Sequence, residues 1–73
     1  MMHPEYAKEI LAQIAVDLAE CHGDNFDQAR PFLGGYTWFD DACEALKDWD
    51  ESIDPLDYVR RPFNSYVSYQ EAK

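Results

Sequence analysis

Seventy-three residues carrying fifteen acids against six bases, a net charge of −9, make one domain spanning 1–73 and leave no room for a second core. With 47% hydrophobic residues, two Trp, five Tyr and four Phe, the chain is too apolar and aromatic for a disordered tail. The charge disfavours nucleic acid and anionic membrane as direct ligands, because each phosphate contact needs a cation, and it favours a cationic partner.

The start, "MMHPEYAKEI", lacks the basic residues and apolar run of a signal peptide, and no segment approaches the ~20 apolar residues that span a bilayer. A cytoplasmic protein is expected, with Cys21 and Cys43 reduced and packed as small hydrophobes. Pro4 suits the first turn of a helix. From there Ala7, Ile10, Leu11, Ile14, Leu18 and Cys21 recur on one stripe at helical spacing, with Glu5, Glu9 and Glu20 opposite. Gly23 ends this helix in a left-handed cap.

Asp24 is the expected N-cap of the next element, with Asp27 completing an imperfect capping box. Pro31 limits it to one or two turns, and Gly34-Gly35 breaks it. The alternative is a hairpin, since "FLGGYTWF" places aromatic flanks around Gly-Gly. "YTWFDDACEALKDWDES" returns to a helical period. Trp38, Ala42, Ala45, Leu46 and Trp49 fall on one side, with Phe39 and Cys43 at its edge, and are read as core. Thr37 is the expected cap. Asp54-Pro55 opens a further helix, Pro62 stops it, and the ambiguous tail "FNSYVSYQEAK" is assigned a short helix on the spacing of Phe63, Tyr66 and Tyr69 or Gln70. The fold class is therefore all-α, a single small domain of three to four short helices, with the hairpin as an α+β alternative.

The chemistry-bearing patterns do not assemble into a catalytic or cofactor site. Asp48, Asp50 and Asp54 stand at positions 1, 3 and 7 of a calcium loop, but Ile53 occupies the glycine position and Val59 the bidentate glutamate position. Cys21, His22, Cys43 and His3 have no zinc-ligand spacing. His22 suits the negative end of a helix dipole. Spacing gives no support to a Cys43–His pair as nucleophile and base. Gly34-Gly35 is no phosphate loop, and Arg60-Arg61 is no basic patch but a pair that closes a helix or neutralises Asp57. No enzyme activity and no cofactor are expected.

What remains is the charge between residues 40 and 57. Asp40, Asp41, Glu44, Asp48, Asp50, Glu51, Asp54 and Asp57 stand against Lys47 alone, holding seven of the nine net negative charges. Asp40 and Asp41 suit a helix start, whereas Asp48, Asp50 and Glu51 crowd the C-terminal end, where the dipole prefers cations. These eight are the candidate partner-binding residues. A carboxylate row on a helix can occupy a basic groove that otherwise holds a nucleic-acid backbone. In size, charge and stripe the chain resembles the small acidic helical proteins, often encoded by phages or plasmids, that inhibit nucleases, restriction enzymes or CRISPR complexes as DNA mimics. Immunity proteins against nuclease toxins are a neighbouring idea. The resemblance implies a basic protein surface as partner. The competing reading takes the acids as the wet side of an amphipathic helix. The apolar, aromatic side then binds as an adaptor or structural subunit.

Overall fold

The computed structural model describes residues 2–72, with no strand among them. Helix α1 (Pro4–His22) runs nineteen residues. Its entry is fixed by His3, whose Nδ1 accepts the Glu5 N–H at 3.2 Å and whose carbonyl accepts the Ala7 N–H at 2.9 Å. Proline follows as the first helical residue, where its missing N–H costs nothing. Gly23 ends the helix at φ 93°, ψ −178°. That is the extended positive-φ region open essentially to glycine alone, rather than the usual left-handed cap. The buried stripe, Ala7, Leu11, Ile14, Ala15 and Leu18, is rotated toward Ala15 relative to the expected one. Ile10 is therefore only partly buried and Cys21 is exposed.

Helix α2 (Phe26–Ala29) starts one residue later than its sequence suggests. Asn25, not Asp24, is the cap, accepting the Gln28 N–H at 3.2 Å. The displacement follows from burial of Phe26, whose ring meets Phe63 edge-on at 5.3 Å. A 3₁₀ turn (Arg30–Gly35) then carries Pro31 near its start and runs through Gly34-Gly35, so no hairpin forms there.

Helix α3 (Phe39–Trp49) buries Ala42, Ala45 and Leu46. Its two tryptophans correct the expectation of a tryptophan core, being 59% (Trp38) and 54% (Trp49) exposed. Trp38, not Thr37, is the cap, with φ 73° and no side-chain hydrogen bond. That left-handed turn takes its indole out of the helical register. Trp49 is the last helical residue and lies over Lys8 rather than in the interior.

Helix α4 (Asp57–Ala72) also departs from expectation, because Pro62 stands inside it. An interior proline removes one hydrogen bond and clashes with the carbonyl four residues back, a cost of ~3 kcal/mol. Tertiary burial offsets it: Val59 and Phe63, on either side of the proline, are both fully buried. Continuing the helix is what puts both on the same seam.

Helix α1 lies at the centre. It packs along α3 and along α4, whose backbones do not come close to each other among the described residues. Leu11, Leu18, Leu46, Val59 and Phe63 are the large fully buried side chains. Two tyrosines tie the periphery to α1. Tyr36 donates its hydroxyl to Asp17 Oδ2 at 2.6 Å, and Tyr66 donates to Glu20 Oε1 at 2.9 Å.

Candidate functional site

The amphipathic character of α3 dictates what it shows to solvent. Ala42, Ala45 and Leu46 turn inward, so Asp41, Glu44 and Asp48, offset around the helix, remain outside. They follow one another at one-turn steps, ~5.4 Å along the axis. With Met2, Tyr6 and Trp38 they line a groove of about 830 Å³ between the start of α1 and α3. His3 and Ala45 complete its wall. The groove is open to solvent, and Tyr6 and Trp38 both expose more than half their surface.

The other acids of the 40–57 run lie elsewhere. Asp40 borders a second depression beside Cys43, Pro55 and Leu56. Asp50 accepts from the Ser52 hydroxyl at 2.7 Å and its amide at 3.0 Å, which hold its carboxyl below the usual range. Asp54 Oδ1 accepts the Leu56 N–H at 3.1 Å, closing the turn that leads into α4. Asp57 pairs with Arg60 at 3.0 Å. Glu51 is exposed in the turn after α3. The eight residues therefore divide. Asp50, Asp54 and Asp57 satisfy local donors. Asp40, Asp41, Glu44, Asp48 and Glu51 have no Lys or Arg nitrogen within 4 Å among the described residues.

A cation does sit close by, at the other end of α3. Lys8 Nζ lies 4.7 Å from the Trp49 ring centre and 5.5 Å from that of Tyr58, and 3.5 Å from Glu5 Oε1. Two ring faces and a carboxylate thus surround one ammonium group.

The thiols are not activated. Burial pushes the Cys43 pKa up to about 11, helped by the nearby charges of Asp40 and Asp54. The charge of Asp17, above all, raises Cys21, whose thiol lies 3.9 Å from that carboxylate. Both remain protonated at neutral pH, the opposite of what a nucleophilic cysteine needs. Burial and then the bond to Asp17 move Tyr36 up to about 12. The bond to Glu20 raises Tyr66. No group of three or more His, Cys, Asp or Glu among the described residues is arranged to hold a metal ion. No helix among them is long and apolar enough to cross a membrane.

Sequence reasoning singled out the acids as binding residues but not Met2 or Tyr6, and weighed His3 only as a zinc ligand, whereas these three form the opposite wall of the groove. Their role depends on how α1 lies against α3, a relation that periodicity does not encode. The available signal was Tyr6, an aromatic residue one position off the buried stripe. No family model, curated protein or solved structure matches the chain.

Proposed function

We propose that the chain is a non-enzymatic binding protein that presses the acidic face of α3 against a basic surface of a partner protein, one that otherwise holds a nucleic-acid backbone. On this reading it is an inhibitor of the DNA-mimic type, of the kind phages direct against restriction or CRISPR complexes. It acts in the cytoplasm, without a cofactor and without touching nucleic acid or membrane itself. One observation carries the proposal: Asp41, Glu44 and Asp48 stand exposed in a row with no Lys or Arg nitrogen within 4 Å among the described residues, although Asp57, a few residues on, is matched by Arg60. Unneutralised like charge in a domain with only ~3–5 kcal/mol of net stability works against folding, and binding a cationic surface relieves it.

The exposed rings of Tyr6 and Trp38 favour a second reading, an adaptor that binds through aromatic contacts. Salt and charge reversal separate the two. The Glu44→Lys/Asp48→Lys protein should lose capture of the partner while keeping or raising its thermal midpoint. Wild-type capture should fall away by about 0.5 M salt. The captured partner should also bind nucleic acid in competition with this chain. Capture that resists salt and survives the double substitution would favour the adaptor.

A further inference from the structure

We infer that the groove between the start of α1 and α3 receives an arginine side chain from a basic segment of the partner protein, its guanidinium lying on Trp38 and paired with the carboxylates of Asp41, Glu44 and Asp48. The inference rests on the proposed function and specifies its contact. The strongest argument is internal. At one end of α3 the chain surrounds its own cation, Lys8, with Trp49, Tyr58 and Glu5. Along the rest of the helix, from Trp38 before its start to Asp48 beside Trp49, Trp38, Tyr6 and three carboxylates border the groove, and no lysine or arginine among the described residues lines it. The same kinds of group recur, so the same kind of guest fits.

Charge narrows the class. Three carboxylates reject phosphate and other anions. His3 Nδ1 is already engaged by the Glu5 N–H at 3.2 Å. Trp38 narrows it further. A guanidinium is planar and weakly hydrated, stacks on an indole face and meets carboxylates in a two-pronged fork, whereas an ammonium is a strongly hydrated point charge. Size points to a peptide rather than a free small cation. At about 830 Å³ the groove exceeds what one side chain fills, leaving room for the flanking backbone beside Met2 and Tyr6.

The test uses the whole chain, labelled with ¹⁵N, titrated with hexa-arginine amide and separately with hexa-lysine amide. The indole N–H signals are assigned with the Trp49→Phe variant. Hexa-arginine should shift the Trp38 indole and the amides of 41, 44 and 48, leave the Trp49 indole in place, and bind more tightly than hexa-lysine. Trp38→Ala should weaken hexa-arginine binding by about tenfold, and Trp38→Phe, which keeps a ring face, should restore most of it. Equal binding of the two peptides, shifts confined to residues 50–57, or undiminished binding by Trp38→Ala would overturn the groove contact and leave the acidic-face reading standing. No shift with either peptide would overturn both.

Discussion

The C-terminal half of α1 and the outward face of α3 treat negative charge in opposite ways. In that half of α1, Asp17 and Glu20 accept the hydroxyls of Tyr36 and Tyr66 and so fasten the 3₁₀ segment and α4 onto the central helix. There Phe26, Leu33 and Phe63 fill the interior. Toward its N-terminal half, α1 faces α3 across a groove whose carboxylates accept no Lys, Arg or Tyr side chain among the described residues. Acids where the core is thickest serve the fold. Beyond the fit of Asp41 to the helix start, the acids where α3 turns outward meet no Lys or Arg nitrogen within 4 Å among the described residues. The composition alone blurs this distinction, since both regions contribute to the same net charge.

Several changes would break or sharpen the contrast. Phe63→Ala attacks the filled half and should cost about 3–5 kcal/mol, enough to consume the stability of a domain this small. Far-UV circular dichroism should then show an unfolded chain, and a cooperative urea transition near the wild-type midpoint would contradict the core described above. Pro62→Ala lets the backbone N–H at position 62 donate to the Tyr58 carbonyl and should stabilise the same half by ~1–3 kcal/mol in urea titration. In the other half, Trp38→Gly relieves the left-handed strain at φ 73° but gives up the buried part of the indole and frees the unfolded chain, so the opposing terms should leave urea stability within ~1 kcal/mol of the wild type.

The smallest effect is on pH dependence. The folded pKa of Tyr36 stands at about 12, above its ordinary value of 10.0, so its contribution is complete below about pH 10 and is lost as pH rises toward 12. The Tyr66 hydroxyl, raised by Glu20, acts in the same direction. Thermal midpoints should fall across that alkaline window in the wild type and fall less in Tyr36→Phe. An equal fall in both would remove the Tyr36–Asp17 bond from the account.

The all-helical class and α1 are legible in the sequence because two independent signals agree there: Pro4 and Gly23 bracket a 3.6-residue apolar period. Pro62 misleads for a physical reason. The rule that proline ends a helix is local, whereas the burial of Val59 and Phe63 that carries α4 through it is tertiary. The tryptophans mislead similarly. Helical angles place Trp38 and Trp49 beside Ala42 and Leu46, but both stand at helix ends, where backbone turn and a neighbouring lysine decide their direction. Of the candidate site, the exposed α3 acids could be read directly. The local duties of Asp50, Asp54 and Asp57 could not, because each depends on a turn geometry that residue spacing leaves open.

The α1–α3 contact carries one more implication. Ala7 and Ala15 on α1 and Ala42 and Ala45 on α3 are buried, and alanine has no rotamers to freeze on docking. A side chain lengthened by a single carbon therefore cannot swing aside to make room, and the two backbones must separate instead. Drift in this chain should accordingly be narrow along that contact and wide on the solvent side of α3. The outward residues can thus change while the scaffold beneath them stays put.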